Sequence, residues 1–270
     1  MKVKDLWLTN RKKAIELGKE ETAVKQIITA AIHCDDSLYL HYDEDIADDV
    51  QNQIDKYLID NIPAQYIIGY SYFYGLKLKV TSDVLIPRFC TEEVVTEALN
   101  KKHNKVLDIG TGSGAIAIAI KKNSEAKVTA VDVSRAALEV AKENAKINDV
   151  NVTFIESDLF SNVTGKFDMI VSNPPYIADN DFVQEIVKNN EPHLALFAKE
   201  EGLFFYRKIL EQAENYLEDK YTIIFEIGCT QAEAVKKLAL DNLKDVNVII
   251  KNDLENLPRV VIITKEWSND

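Results

Sequence analysis

The chain has 270 residues, 46% of them hydrophobic and 28% charged, the make-up of a globular protein with ample material for a core. Lys and Arg number 32 against 44 Asp and Glu, and the net charge of −12 argues against a surface that tracks nucleic acid. Cys34, Cys90 and Cys229 lie far apart with no CxxC pair, and the four histidines show no ligand spacing, so neither a disulfide framework nor a metal is expected.

Met1 to Asp5 lack the apolar core of a signal peptide, and no apolar run approaches the ~18 residues of a membrane span. A cytoplasmic protein without membrane contact is expected. Residues 1–65 read as a small helical domain. Leu6, Ile15 and Leu17, then Val24, Ile27, Ile28, Ala31 and Ile32, recur at three- and four-residue steps. Ile46 to Leu58 repeats the pattern among acids, and Pro63 marks its end. Residues 66–85 change character: aromatic and β-branched residues from Tyr66 to Val80, around Gly75, predict a linking hairpin.

Within 86–270, strands and helices alternate from residue 105. Strands are predicted at Val106–Ile109, Val128–Val131, Val152–Ile155, Phe167–Val171, Tyr221–Glu226, Val246–Ile250 and Val260–Ile263. Helical patterns fill 113–122, 134–147, 203–218 and 230–243, with Ser134 and Thr230 as N-caps. This rhythm predicts an α/β domain with a mostly parallel, Rossmann-like sheet of seven strands. The loop from Lys251 to Arg259 is too short for a helical crossover, so the last two strands should pair antiparallel.

Asp108-Ile109-Gly110-Thr111-Gly112-Ser113-Gly114 closes the first of these strands and opens a helix. Glycines let a ligand lie against the backbone, although a tight turn without a ligand would use them too. The spacing is GxGxG rather than the dinucleotide GxGxxG, and Asp108 would repel pyrophosphate while suiting the ammonium of a methionine moiety, directly or through water. Asp132 stands at the tip of the second strand, where a carboxylate accepts from ribose hydroxyls or caps the next helix. After the third strand, Asp158 is placed either to accept from an adenine amino group or to stand as a solvated turn acid, and Leu159 can pack on the ring. Together the three strand ends fit a nucleoside with a cationic tail and no phosphate, and S-adenosyl-L-methionine is such a ligand.

The fourth strand runs into Asn173-Pro174-Pro175-Tyr176. An amide nitrogen is a poor nucleophile because its lone pair is delocalised. If the Asn173 oxygen and the Pro174 carbonyl each accept one N–H, the nitrogen is held with its lone pair toward a methyl donor, and acceptors for the developing charge are already in place. The prolines stiffen the loop, and Tyr176 offers a flat face to a planar group. The plain alternative is a rigid loop leaving a buried strand.

These residues resemble the PrmC/HemK family of release factor glutamine N5-methyltransferases over nearly the whole chain. Pro63 to Gly69 with Phe73-Tyr74-Gly75, Val84 to Arg88 with Thr91-Glu92, and the motifs at 108–114, 132, 158 and 173–176 all match its pattern. So do Glu191-Pro192, Ala195-Leu196, Gly202-Leu203, Tyr206-Arg207, Glu226-Ile227-Gly228, Gln231, and Asp253 with Arg259. The resemblance implies a class I methyltransferase fold with an N-terminal helical domain that helps hold the release factor. It implies cofactor contacts at Gly110, Thr111, Gly112, Ser113, Gly114, Asp132, Asp158, Leu159 and Asn173. It implies glutamine contacts at Asn173, Pro174, Pro175 and Tyr176. Two departures stand out: Phe89-Cys90 replace the family's Pro-Glu, and Ala198-Lys199 replace its Gly-Gly. The first should alter the cofactor-pocket wall and the second the shape of a loop.

Three functions follow from these features. The first is methylation of the GGQ glutamine of class I peptide chain release factors by a monomeric enzyme with no nucleic-acid substrate. The second is methylation of an exocyclic base amine of DNA or RNA, which calls for a basic groove. The third is a sensor that binds the cofactor without turnover, for which two amide acceptors at 173–174 would be superfluous.

Overall fold

The computed structural model describes residues 1–34 and 37–266, so positions 35–36 of the predicted 1–65 domain and 267–270 of the predicted 86–270 domain lie outside the described residues. The chain divides into two compact units, Met1–Tyr70 with Val183–Asn190, and Ser71–Phe182 with Glu191–Asp270. In the first, α1 (Val3–Glu16), α2 (Glu21–Ala31), α3 (Asp49–Leu58) and α4 (Ala64–Ile68) bury Leu6, Trp7, Val24, Ile27, Ile28 and Ile54 against one another. The buried stripe of α1 runs Val3, Leu6, Trp7, Asn10, Ala14. Ile15 and Leu17 fall off that face and are 57% and 50% exposed, contrary to the predicted stripe. The short α4 occupies positions assigned to the hairpin: Ile67 and Ile68 pack on the helical core, and Gly69 ends the helix at φ 82°.

From the last residue of the Met1–Tyr70 stretch into the second unit, β1 (Tyr70–Phe73) and β2 (Leu76–Lys79) form the hairpin. Tyr74 and Gly75 both have positive φ, as a tight two-residue turn requires. An unpredicted helix, α5 (Glu92–Leu99), precedes the sheet strands β3 (Lys105–Ile109), β4 (Lys127–Asp132), β5 (Thr153–Glu156), β6 (Phe167–Ser172), β7 (Leu217–Glu226), β8 (Asn247–Asn252) and β9 (Pro258–Lys265). Their order is β5-β4-β3-β6-β7-β9-β8, with only β9 reversed among the described pairings. The predicted α/β class and the antiparallel final pair are borne out. The chain leaves β3 to one side for β4 and later returns on the other for β6, so the C-terminal ends of β3 and β6 flank the switch point where such sheets bind ligands.

Alternation along the strands splits the core. Val106, Val128, Met169 and Ile224 face α5 and α6 (Ala115–Lys122), whose residues Ala115 to Ile120 are all buried. Leu107, Ile109, Ile170, Ile223 and Phe225 face the opposite layer of α9 (Phe204–Ala213) and α10 (Ala232–Asn242). Between β4 and β5 lies α7 (Arg135–Ile147), with Ser134 as its N-cap accepting from Ala137 N at 3.2 Å, as expected. Thr230 does not cap α10. Gln231 occupies that position, and its side chain is engaged elsewhere. The helix predicted to reach 218 stops at Ala213, because Leu217 already pairs with Phe167 in the sheet. The remaining helix, α8 (Glu185–Asn190), belongs to the first unit, where Asn190 Nδ2 donates to the Asn61 carbonyl at 2.9 Å. Among the described residues no helix is long and apolar enough to cross a membrane.

Candidate active site

A cavity of about 200 Å³ opens at the switch point. Its floor is the loop after β3. Gly110 N and Thr111 N both donate to the Val131 carbonyl, at 2.9 and 3.0 Å, clamping the loop to β4. Gly110, Thr111, Gly112 and Ser113 lie on the wall. Gly114 does not. A Cβ there would stand 2.8 Å from Ile118 Cδ1 and 3.1 Å from Ala141 Cβ, so this glycine lets α6 and α7 approach.

Asp132 lies on the wall at the end of β4, accepting from Gly112 N through Oδ2 and from Ser134 N through Oδ1, both at 2.8 Å. A carboxylate has about four lone-pair sites, so each oxygen can still accept one hydroxyl of a diol. Burial pushes the Asp132 carboxyl above its ordinary pKa, opposed by those backbone donors. Asp158, exposed, and Leu159, half-buried, complete this side of the wall. The turn holds Leu159 at φ 48°, and Ser157 Oγ donates to its carbonyl at 2.9 Å. Val133, Ala137 and Leu159 give an apolar surface beside Asp132 that suits a flat base.

Asp108 is placed differently from the expectation. Strand alternation turns it toward α6, beneath the loop and off the cavity wall, so it offers an ammonium group no direct contact. It accepts from Thr111 Oγ1 at 2.6 Å through Oδ2, while Oδ1 has no hydrogen-bond partner among the described residues. Complete burial pushes its carboxyl up to about 7, against the pull of the Thr111 hydroxyl.

Asn173, Pro174 and Pro175 line the same cavity; Tyr176 does not. Ser172 Oγ donates to the Ile109 carbonyl at 2.6 Å and ties the end of β6 to that of β3. Asn173 Nδ2 donates to Thr91 Oγ1 at 3.2 Å. Among the described residues no donor is bonded to Asn173 Oδ1 or to the Pro174 carbonyl. The Tyr176 hydroxyl donates to Glu226 Oε1 at 3.3 Å, and its carbonyl accepts from Gln231 Nε2 at 2.9 Å. Gly202 backs the loop so closely that a Cβ would lie 2.1 Å from the Tyr176 carbonyl oxygen, and its φ of 83° is also one that L side chains avoid.

Glu226 is completely buried at the end of β7. Burial raises its carboxyl above the usual range, opposed by the Thr91 hydroxyl and the Arg259 cation. Burial followed by the Glu226 charge raises the Tyr176 hydroxyl, and the same two causes push the Cys90 thiol up to about 11. Arg259 itself grips Asp253 Oδ2 through Nε and Nη2, at 3.2 and 3.1 Å.

Thr91, Glu226 and Gln231 carry the loop, yet residue patterns alone gave them no role. Glu226 did bear a signal, since it ends its strand as Asp132 ends β4. A further pin is buried Glu191, which accepts from Ile86 N at 3.1 Å and from Arg88 Nη2 at 2.5 Å. It fixes the Arg88 side of the wall to the segment carrying Pro192, Leu194 and Ala195. The Phe89-Cys90 departure does not reach the wall. Phe89 is 75% exposed and Cys90 Sγ turns to Glu226 Oε1 at 3.7 Å, so the wall passes from Arg88 to Thr91. At the second departure, Glu200 and Glu201 both take positive φ, and Glu200 pairs with Arg207 at 2.6 Å. Among the described residues no group of three His, Cys, Asp or Glu side chains is placed to hold a metal ion.

Comparison with known proteins agrees with this geometry. The family model described as "Methyltransferase small domain" matches residues 89–197. The chain is similar to a release factor glutamine methyltransferase of Bacillus cereus, 37% identical over 268 residues that cover 93% of this chain and 95% of that one. A protein of the same description from Lactococcus lactis is 46% identical over 217 residues, covering 78% and 80%. Among solved structures, a methyltransferase from Pyrococcus furiosus is alike in fold, with a TM-score of 0.57 and 20% identity over 72% of this chain and 90% of that one.

Proposed function

The chain belongs to the release factor glutamine methyltransferase family, and from that premise we propose that it methylates the side-chain amide nitrogen of the GGQ glutamine in class I peptide chain release factors, modulating translation termination. The methyl donor in this reading is S-adenosyl-L-methionine, whose sulfonium supplies an electrophilic methyl group. Gly110 to Ser113, Asp132, Asp158, Leu159 and Asn173 form its site, and Gly114 supports it by letting α6 and α7 approach. The glycine backbone leaves room, and beyond the chain neighbours no described residue lies within 4 Å of a Cβ built at Gly110 or Gly112. The spare lone pairs of Asp132 suit a ribose diol, and the apolar surface beside it suits adenine.

The observation that carries the reading is the Asn173 amide on the cavity wall, whose Nδ2 is taken by Thr91 while Oδ1 is without a donor among the described residues. With the Pro174 carbonyl beside it, two N–H groups of one planar amide find acceptors. The substrate nitrogen is thereby oriented, and the positive charge that grows on it during transfer meets two preorganised dipoles. Pro175 completes the glutamine site on the cavity wall, and Tyr176, which lies off that wall, anchors the loop through its Glu226 and Gln231 tethers, with the two prolines stiffening it. The helical unit is assigned to holding the release factor. The enzyme acts in this reading as a cytoplasmic monomer without a nucleic-acid or membrane partner. Methylation of a base amine is not favoured, because the relatives' descriptions name release factors and the net charge is −12.

The test is incubation with labelled donor, a release factor and a nucleic-acid control, followed by mass spectrometry. Label is expected on the GGQ glutamine alone. Asn173→Ala should lower kcat on the order of 10³-fold while donor affinity stays within a few-fold. Label on nucleic acid alone, or full turnover by Asn173→Ala, would overturn the reading.

A further inference from the structure

An asparagine amide presents an oxygen on one side and an NH2 on the other, and only the oxygen accepts from a substrate N–H. At Asn173 the side is decided by one neighbour, Thr91 Oγ1, 3.2 Å from Nδ2. A hydroxyl both donates and accepts, so Thr91 can hold this amide either way round. If its hydrogen pointed at Asn173, Oδ1 would turn to Thr91 and Nδ2 would enter the cavity, facing the substrate NH2 donor to donor. Some other group must claim that hydrogen.

Glu226 is placed to do so. It is wholly buried, its Oε1 is taken by the Tyr176 hydroxyl at 3.3 Å and Cys90 Sγ at 3.7 Å, and Oε2 carries no such bond among the described residues. A buried carboxyl oxygen without a donor is costly, which gives it a strong claim on a neighbouring hydroxyl, and Thr91 directly follows Cys90, whose Sγ already lies against Oε1. Thr91 heads the neighbours that favour the charged form of Glu226. Resting on the acceptor-loop reading above and deepening it, we propose that Glu226 is a positioning residue which, by drawing the Thr91 hydroxyl hydrogen to itself, keeps Asn173 Oδ1 facing the substrate amide. The same carboxyl holds the Tyr176 hydroxyl, so both ends of the 173–176 loop answer to one buried group.

Glu226→Gln keeps the size but adds an NH2 that can donate to Thr91, freeing the hydroxyl hydrogen to turn toward Asn173. Its kcat should fall on the order of 100-fold, while donor affinity by calorimetry and KM for the release factor change by less than about threefold. Thr91→Val should lose a similar factor and Thr91→Ser recover most of it. The double variant Glu226→Gln/Thr91→Val should be no slower than Thr91→Val alone, because both break one relay. Independently of turnover, the Asn173 side-chain NH2 resonance, identified by its loss in Asn173→Ala, should shift in Glu226→Gln. Wild-type kcat in Glu226→Gln, multiplying losses in the double variant, or an unmoved Asn173 resonance overturns the proposal. If the wild-type protein leaves the GGQ glutamine unmethylated, the functional reading falls, and the resonance alone decides the orientation of Asn173.

Discussion

Each half of the proposed site rests on a buried carboxyl with one oxygen lacking a hydrogen bond among the described residues, Asp108 beneath the glycine loop and Glu226 beneath the acceptor loop. The two are wired differently. Asp108 is bonded to Thr111, three residues along its own loop. Glu226 takes hydrogen bonds from Cys90 and Tyr176, which arrive from different segments of the chain. The glycine loop is therefore a local device, whose geometry follows from glycines with positive φ and two backbone bonds to the Val131 carbonyl. The acceptor loop is held by its surroundings. Damage to the first should appear as altered stability or donor affinity, and damage to the second as lost turnover with affinity kept.

Of the changes that separate the two halves, the largest expected in stability belongs to Asp108. Folded, it keeps its proton up to about pH 7; unfolded, it releases it near its ordinary value of 3.8. Between those values the folded state binds more protons than the unfolded one, so stability falls as pH rises and levels off above 7. The loss amounts to roughly 3 kcal/mol between pH 5 and pH 8. Asp108→Asn cannot titrate there but can still accept from Thr111, so the difference in unfolding free energy between wild type and variant isolates this group. Urea unfolding at the two pH values should show the wild type losing that much more than the variant. An equal pH response would mean that the buried carboxyl is charged throughout.

Next comes Gly202. Its Cβ would collide with the Tyr176 carbonyl, and the loop at 173–176 would have to shift to admit it. Gly202→Ala should cost turnover on the order of 100-fold, since a displacement near 1 Å misaligns reacting atoms to about that degree. Donor affinity should stay within a few-fold, because no residue of the glycine loop is touched. A loss confined to donor affinity would erase the contrast between the two halves.

The contrast also explains what the sequence made legible. Gly110 to Gly114, Asp132 and Asn173 to Tyr176 are contiguous runs or strand-end acids, and the succession of strands and helices with the short final loop was enough to predict the sheet. Thr91, Glu226, Gln231 and Gly202 support the acceptor loop just as much, yet Glu226 and Gln231 meet Tyr176 only because β6 and β7 are paired and α10 begins beside their ends, and Thr91 and Gly202 arrive from the segments before α5 and α9. No local pattern marks such meetings. The misplacement of Asp108 has the same origin: its position in the motif suggested a ligand contact, but strand alternation aimed it at α6. Tyr176 likewise turned from the cavity because Glu226 holds its hydroxyl.

Asp132 offers the smallest and most discriminating change. Each of its oxygens already accepts one backbone N–H, so its worth to a ribose lies in the two lone pairs left over. Asp132→Asn keeps one such acceptor and replaces the other oxygen by an NH2 that faces a backbone N–H donor, either Gly112 or Ser134. One hydroxyl bond to a charged acceptor is thereby lost, worth about 1.5 kcal/mol, which corresponds to roughly tenfold in donor affinity by calorimetry. At saturating donor kcat should be close to wild type, because the 173–176 loop takes none of its tethers from this strand end. A kcat loss surviving saturation would mean that the glycine loop and the acceptor loop move as one device, and the local wiring of the first half would no longer account for its behaviour.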